Sequence, residues 1–323
     1  MLSNLTLTAI FLTSLCSVFI VSSNIGFGAN TILQNYTFVN SWGSTGTSDG
    51  QFGEPSDLAI DERNGNIYVS DSENNRIQIF NDDGELIKKW AYSGKGEGQF
   101  THPHGIAIEP SIDRVYVGDQ GNRRIEKFTI DGRFLSSWGS IGKNDGQFMH
   151  PHGIAIGPVS QKVYVVDRDL NRVQVFDSDG KFISKWGSLG SGDGQFNKPW
   201  DVSVDKTGNV FVSDSQNHRV QVFDSDGKFI SKWGSLGSGD GQFNKPYGII
   251  IDASGNVYVA DSQNFRVQKF DNHGQFITKW GMKGVDNSQF LRPEGISVQS
   301  LENTVYVSDT ISNNVKKFSI LSK

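Results

Sequence analysis

The chain has almost no cysteine, and this excludes disulfides as a source of stability. Cys16 is the single cysteine among 323 residues, and it lies in an apolar N-terminal stretch. Leu15 stands directly before it, where a lipid-modified cysteine is preceded by a small residue. Since the rest of the chain has no thiol, we expect its fold to depend on packing alone.

Motifs of the common enzyme classes are also missing. The chain contains no nucleophile elbow, no phosphate-binding loop and no dinucleotide-binding fingerprint. It has no cluster of Lys and Arg, and its formal net charge is −5. Because a nucleic-acid-binding protein needs a basic face that displaces counterions from phosphates, we expect no nucleic acid as a partner.

Charged side chains are absent from the first 29 residues. Leu5–Val21 is apolar with scattered Thr and Ser, which is typical of a secretory signal cleaved near Ser23 or Gly28, although no basic residue precedes it. An uncleaved membrane anchor is the alternative, because 17 residues are near the lower limit for spanning a bilayer. Both interpretations predict an extracellular or cell-surface protein, with residues 1–29 as signal or anchor and residues 30–35 as a linker. Contact with a membrane is expected only through an uncleaved segment.

What the sequence does contain is a repeat. Arg172–Pro199 recurs letter for letter as Arg219–Pro246, and looser copies fill the chain after about residue 36. The six tryptophans that close the copies lie 48, 48, 48, 47 and 47 residues apart. Such a fixed period indicates a repeat architecture. These tryptophans are Trp42, Trp90, Trp138, Trp186, Trp233 and Trp280.

Each copy predicts four short strands. Val163–Val166, Val173–Phe176 and Phe182–Trp186 are rich in β-branched and aromatic residues, as strands are. Asp-Gly pairs such as Asp179-Gly180 supply the positive φ angles of a tight hairpin, and Gly-Asn pairs mark another turn. No stretch has a sustained helical period. Four antiparallel strands per repeat are typical of a β-propeller, and we letter them a to d from the inside outwards.

The two ends of the repeat region predict how the ring closes. Gly-Gln-Phe occurs in five copies and Ser-Gln-Phe in the last, which gives six units. The sixth unit stops after its third strand, Asn314–Ile320, whereas Tyr36–Trp42 is a fourth strand without a unit of its own. Because unpaired strand edges promote aggregation, we expect Tyr36–Trp42 to complete the last blade. The prediction for residues 36–323 is one all-β domain, a six-bladed propeller of four-stranded antiparallel blades.

Three motifs of the unit resemble the NHL repeat. They are Pro-His-Gly-Ile-Ala-Ile, Val-Tyr-Val-x-Asp and Asn-x-Arg-Val-Gln-x-Phe, and the resemblance covers residues 36–320. It implies a six-bladed NHL propeller. Proteins with this repeat bind other proteins, bind RNA or act as enzymes, so the resemblance implies no single activity.

An aspartate follows the second strand of every unit, and an arginine stands five positions later in five of them. A pair repeated in nearly every blade indicates a scaffold role, here a charge-assisted hydrogen bond that fixes the b–c loop. Catalysis or anion binding is the alternative. The aspartates are Asp71, Asp119, Asp167, Asp214, Asp261 and Asp309, and the arginines are Arg76, Arg124, Arg172, Arg219 and Arg266.

The six units act as controls for one another, because shared positions build the blade and divergent positions are free for function. The start of strand a, the b–c loop and the d–a connection lie on one face, here called the mouth face. On it, we expect a varying inner ring, one position after the proline that opens strand a: Ser56, His104, His152, Trp200, Tyr247 and Glu294. An outer ring in the b–c loops comprises Asn75, Arg123, Asn171, His218, Phe265 and Asn313. Asp57 and Asp201 follow the inner ring where the other units have Gly.

Four of the six histidines lie in two His-Pro-His segments at this mouth. Asp57, His104 and His152 come from consecutive blades and would suit one divalent cation, zinc or calcium, in a mixed nitrogen and oxygen site. Pro-His-Gly here also resembles propeller lyases that cleave α-hydroxyglycine peptides, in which channel histidines hold zinc. That resemblance implies a lyase or a lactonase-type hydrolase, but only two blades carry His and no catalytic Tyr/Arg pair can be assigned. The alternative is that both histidines are duplicated copies hydrogen-bonded to neighbouring loops.

The sequence favours a binding scaffold over an enzyme. Trp200, Tyr247 and Phe265 are aromatic residues of the kind that dominate binding energy at interfaces. We predict an exported, monomeric propeller that binds a protein or a small molecule with its mouth face, with a metal-dependent enzyme as the alternative. The predicted binding residues are Ser56, His104, His152, Trp200, Asp201, Tyr247, Phe265 and Glu294.

Overall fold

A computed structural model describes residues 35–320 and confirms the predicted all-β, six-bladed propeller of four-stranded antiparallel blades. The helices in this range are three single 3-10 turns, Pro110–Ile112, Ser215–Asn217 and Ser262–Asn264. None of them is long and apolar enough to cross a membrane. The predicted signal or anchor, residues 1–29, lies outside the described residues, as does the predicted linker up to residue 34.

Each blade is one sheet whose strands run in order from the channel to the outside. Blade 1 comprises β2 (Pro55–Asp61), β3 (Asn66–Asp71), β4 (Arg76–Phe80) and β5 (Leu86–Trp90), and blade 2 comprises β6 (Pro103–Glu109), β7 (Arg114–Asp119), β8 (Arg124–Thr129) and β9 (Phe134–Trp138). Blade 3 comprises β10 (Pro151–Ile156), β11 (Val163–Asp167), β12 (Arg172–Phe176) and β13 (Phe182–Trp186), and blade 4 comprises β14 (Pro199–Val204), β15 (Val210–Asp214), β16 (Arg219–Phe223) and β17 (Phe229–Trp233). Blade 5 comprises β18 (Pro246–Ile251), β19 (Val257–Asp261), β20 (Arg266–Phe270) and β21 (Phe276–Trp280), and blade 6 comprises β22 (Pro293–Gln299), β23 (Thr304–Asp309), β24 (Asn314–Ile320) and β1 (Tyr36–Trp42).

The ring closes through β1, as predicted. This strand pairs antiparallel with β24, with Tyr36 opposite Ile320 and Trp42 opposite Val315. Six hydrophobic clusters make up the core of the described residues, and each one combines side chains of two adjacent blades. A blade therefore buries its apolar faces only against its neighbours, and β1 completes the clusters on both sides of blade 6.

The repeated tryptophans join neighbouring blades. Trp42 packs flat on Gly84 in the c–d turn of the next blade, where an added Cβ would lie 2.7 Å from the indole. Four further tryptophans pack in the same way on a turn glycine. Trp280 is different, because blade 6 has no c–d turn. Tyr36 takes the place of that turn and stacks on Trp280 with ring centroids 4.1 Å apart.

The repeated aspartates and arginines form a buried hydrogen-bond network, which supports the scaffold interpretation. In blade 4, the fully buried Asp214 carboxylate accepts hydrogen bonds from Asn197 N, Arg219 Nε and Gln221 Nε2 at 2.7, 2.8 and 3.1 Å. The remaining guanidinium nitrogens of Arg219 donate to three carbonyl oxygens of the d–a connection. The pair thus ties the b–c loop to the connection that precedes strand a.

One position of this network departs from the pattern. In blade 4, Gln221 accepts from Gly194 N through Oε1 and donates to Gln195 O through Nε2. The same two bonds occur in blades 1, 3 and 5. Blade 2 has Glu126 instead, which has no amide hydrogen to donate. Burial raises the pKa of Glu126 to about 8, against the opposing effect of Arg124.

Removing β1 tests the closure of the ring. A chain that begins at Gly43 should aggregate or lose roughly 10 °C or more in Tm, because the clusters on both sides of blade 6 lose side chains. A chain that begins at Asn35 keeps the strand and serves as the control. Equal thermal melts of the two chains would contradict closure by β1.

Replacing Glu126 tests the network. The folded state keeps a proton on Glu126 that the unfolded chain releases near pH 4.3, so wild-type stability falls as the pH rises from there to about 8. Glu126→Gln should remove this dependence and raise the free energy of unfolding at pH 8 by about 1–3 kcal/mol. Urea denaturation at pH 5 and pH 8 measures the difference. The reciprocal variant Gln221→Glu should make the free energy of unfolding fall between pH 5 and pH 8 in blade 4. If both variants differ from wild type by the same amount at pH 5 and at pH 8, the explanation from the Glu126 proton is refuted.

Candidate functional site at the channel mouth

The inner-ring residues occupy the second position of the six a strands. In each blade the pairing of strand a with strand b shifts by one residue at this point, as between Pro55 and Leu58, which indicates a β-bulge. Bulges re-aim side chains, and here they direct the ring toward the channel. Adjacent a strands come very close at the bulge, since a Cβ on Gly105 would lie 2.1 Å from His152 O. Glycine therefore occupies the third position in four of the six blades.

Five inner-ring side chains contact one another around the channel, and we call them the collar: His104, His152, Trp200, Tyr247 and Glu294. Ring centroids lie 3.6 Å apart between the two histidines and 4.2 Å apart between His152 and Trp200. Trp200 and Tyr247 stack in parallel at 3.7 Å. His104 Nε2 lies 3.0 Å from Glu294 Oε1. Ser56, the sixth member of the inner ring, is hydrogen-bonded to Ser72 instead.

The collar closes the channel. On the mouth side it forms the floor of a cavity of about 260 Å³, here called the mouth cavity, which is also lined by Arg168 and Arg292. Between the collar and the next layer of residues only about 10 Å³ remains. A second cavity of about 190 Å³, lined mainly by Ile, Val and Ala side chains, lies beyond. A ligand of the collar must therefore enter from the mouth face.

Three collar residues have the composition of a metal site. Ligand atoms of His104, His152 and Glu294 all lie within 4.8 Å of one another, and the three residues are only 6, 2 and 3 % exposed. Both histidines have a buried Nδ1 without a hydrogen-bond partner in the described part of the chain. Burial, with the nearby His104, lowers the pKa of His152 well below its usual value. His152 is thus neutral, as a metal ligand must be. Two imidazoles and one carboxylate suit a divalent cation.

Asp57, which the sequence predicts as a metal ligand, is not part of this cluster. Its carboxylate accepts hydrogen bonds from Leu58 N and Ile106 N at 2.8 and 3.0 Å. Burial, together with the charge of Asp201, raises the pKa of Asp57 well above its usual value. Glu294 provides the carboxylate instead, because the small Ser56 of the intervening blade leaves room for it to reach His104.

Asp201, three blades away from Asp57, makes the same pair of hydrogen bonds to backbone N–H groups. Its carboxylate accepts hydrogen bonds from Val202 N at 2.8 Å and from Ile249 N at 3.0 Å. Burial raises the pKa of Asp201 to about 7. Both aspartates therefore link an a strand to the next one below the collar, and neither lines the mouth cavity.

Most outer-ring side chains, which the sequence places in a binding surface, make structural contacts. Asn75, Asn171 and Asn313 each accept a hydrogen bond from a backbone N–H of the following blade, and His218 Nδ1 does the same. Phe265 packs against the hydrophobic cluster between blades 5 and 6, away from the residues that line the mouth cavity.

Two arginines at the site were missed by the sequence analysis. The Arg168 guanidinium carbon lies 4.7 Å from the Trp200 ring centroid. Arg292 forms ion pairs with Glu54 at 3.4 Å and with Glu294 at 3.2 Å. The signal for Arg168 was present, because the position after the shared aspartate also varies between units: Ser72, Gln120, Arg168, Ser215, Ser262 and Thr310.

Comparison with known proteins finds a family model that matches four of the repeats and solved structures with a similar fold. The family model described as NHL repeat matches residues 52–80, 148–176, 196–223 and 243–270. A comparison with curated protein sequences finds no match. A protein of unknown function from Bacteroides thetaiotaomicron has 18% identity and a TM-score of 0.66, over 89% of this chain and 76% of that one.

Two further similar structures are lyases. Streptogramin B lyase has 14% identity and a TM-score of 0.60, over 90% of this chain and 89% of that one. A catalytically inactive virginiamycin B lyase from Staphylococcus aureus, solved with quinupristin, has 14% identity and a TM-score of 0.61, over 89% of this chain and all of that one. At such identities the likeness concerns the fold alone. The four matched repeats and the six-bladed ring identify the chain as an NHL-repeat β-propeller.

Proposed function

We propose that this propeller binds a small molecule in the mouth cavity, with a divalent cation held by His104, His152 and Glu294 at the floor. One observation carries the proposal. Two imidazoles contact each other out of water, each has a buried Nδ1 without a hydrogen-bond partner among residues 35–320, and the buried Glu294 carboxylate lies 3.0 Å from Nε2 of His104. Unpaired buried polar atoms are costly, and a cation would give both imidazoles a partner.

The cavity favours a small molecule over a protein partner. Ligand pockets are concave and combine aromatic walls with a few convergent polar groups, as the mouth cavity does. Its aromatic residues, Trp200 and Tyr247, stack on each other within the collar rather than projecting from the mouth face. An aromatic anchor of a protein interface would instead present its ring to the partner.

Metal-dependent catalysis is a second candidate, and the position of the cluster favours it. Three protein ligands are typical of a catalytic zinc site, whose fourth position takes water or substrate. Here such a position would face the mouth cavity, where a metal-bound water would ionise near neutral pH. Two structures of similar fold are lyases, which supports an enzyme as the second candidate.

We also propose that the protein works outside the cell, as a monomer and without nucleic acid. The motivation is the uncharged, apolar N-terminal stretch and the acidic net charge. Fractionation of cells that produce the full chain should recover it from the medium or the membrane fraction. Recovery from the cytosol would contradict export.

Zinc titration of purified protein tests the proposed site. Wild type should bind one zinc ion with micromolar or tighter affinity, whereas His104→Ala/His152→Ala should lose this binding. Glu294→Gln, which preserves shape, should weaken it at least about tenfold. The matched control is His218→Asn, since Asn75, Asn171 and Asn313 occupy that position in other blades. It should bind zinc as wild type does.

Thermal melts establish that each variant is folded. Equally weak zinc binding in wild type, the double variant and His218→Asn would refute the metal site. Tight binding that survives in the double variant would place the ion elsewhere and refute it as well.

A further inference from the structure

We propose that the ligand of the mouth cavity is a small monocarboxylate with a planar apolar group, and that Arg168 binds its carboxylate. This proposal rests on the proposed function, since it names the chemical class of molecule that the cavity takes. Three observations support it: Arg168 has no ion-pair partner among the described residues, its guanidinium stacks on Trp200, and the other charged groups at the cavity are already paired.

Among the residues that the structure describes, Arg168 is a cation without a counterion. It follows Asp167 at the end of β11, and its backbone N–H donates to His150 O. No side-chain nitrogen of Arg168 has a hydrogen-bond or ion-pair partner among residues 35–320, and its Nε is buried. The repeated arginines differ sharply, since Arg219 donates to one carboxylate and three carbonyl oxygens. A partly buried guanidinium without acceptors is costly, and a bound anion would remove that cost.

The guanidinium is held in place by an aromatic stack. Trp200 has Tyr247 parallel to one face at 3.7 Å, which leaves the other face for Arg168 at 4.7 Å. Arginine stacks on aromatic rings through its planar surface, which leaves its N–H edge free to bind a carboxylate. Since Arg168 and Trp200 both line the mouth cavity, the two Nη groups of Arg168 are available to a ligand there, whereas its buried Nε is not. Both faces of Trp200 are thus covered, whereas Tyr247 also lines the cavity and stacks on Trp200 with one face only among the described residues, so its other face suits a flat apolar group next to the carboxylate.

Among the described side chains that line the cavity, one cation is left to pair with an anionic ligand, and it matches a single negative charge. Arg292 is already paired with Glu54 and Glu294. His150 Nδ1 lies 3.6 Å from Asp169 and His104 Nε2 lies 3.0 Å from Glu294, so each of these histidines already faces a carboxylate. Arg168 is thus the one unpaired cation among the described residues that line the cavity. A carboxylate matches the bidentate N–H groups of Arg168 with one negative charge.

Calorimetry with three probes tests this class. The probes are phenylacetate, its neutral isostere 2-phenylacetamide and inorganic phosphate, each measured with zinc and again with EDTA. Wild type should bind phenylacetate at least about tenfold more tightly than the amide, which loses the charge-assisted pair, and than phosphate, which lacks the planar apolar group. Part of this preference should persist in EDTA, where Arg168 acts without the metal.

The matched variant is Arg168→Ser, since three other blades have serine at this position and fold with it. It should bind zinc normally and lose the preference for phenylacetate over the amide. Arg133→Ser removes the same charge at an exposed c–d turn on the opposite face and should retain the preference.

Each other outcome overturns a stated part of the proposal. Equal binding of phenylacetate and the amide, or no binding of either by zinc-loaded protein, would reject the carboxylate class while leaving the metal site intact. Tighter binding of phosphate than of phenylacetate would refute the statement that the ligand carries a single negative charge. An unchanged preference in Arg168→Ser would reject the role of Arg168. If wild type does not bind zinc, the proposed function itself is refuted.

Discussion

The pairing of β1 with β24 determines whether the ring exists, because no blade has a core of its own. Each hydrophobic cluster is shared by two neighbours, so an opening at any point exposes two half-clusters and two strand edges. The chain solves this with a strand from its N-terminal end and with Tyr36, which stacks on Trp280 where a turn glycine would otherwise lie. Closure of the ring in turn fixes the distance between opposite a strands, and hence the width of the channel.

The narrow channel explains why so few residues form the site. At the bulges the a strands approach so closely that most blades need glycine, and only the residue before it projects toward the channel mouth. Six such side chains converge in a space that holds five of them in mutual contact. This crowding leaves buried polar atoms, such as Nδ1 of His104 and of His152, without hydrogen-bond partners among the described residues. In our account, a cation and an anionic ligand provide those partners.

The fold and the inner ring could be predicted because both follow from local rules. Turn pairs such as Asp179-Gly180 define hairpins, the fixed period defines blades, and the proline that opens each a strand locates the ring residues. The metal cluster could not be predicted fully, since the reach of Glu294 to His104 depends on the small Ser56 between them. The structural role of the outer-ring asparagines could not be predicted, because their hydrogen bonds go to the next blade, which the variation within one loop does not reveal. Arg168 was missed although its position varies as the inner ring does.

Anomalous diffraction from crystals grown with zinc tests the central claim most directly, because it locates the ion without reference to any activity. Our account predicts one strong zinc peak at the floor of the mouth cavity, about 2.0–2.2 Å from a nitrogen of His104, a nitrogen of His152 and a carboxylate oxygen of Glu294. Zinc peaks confined to exposed acidic residues, with the histidines still in contact and the mouth without a peak, would contradict it.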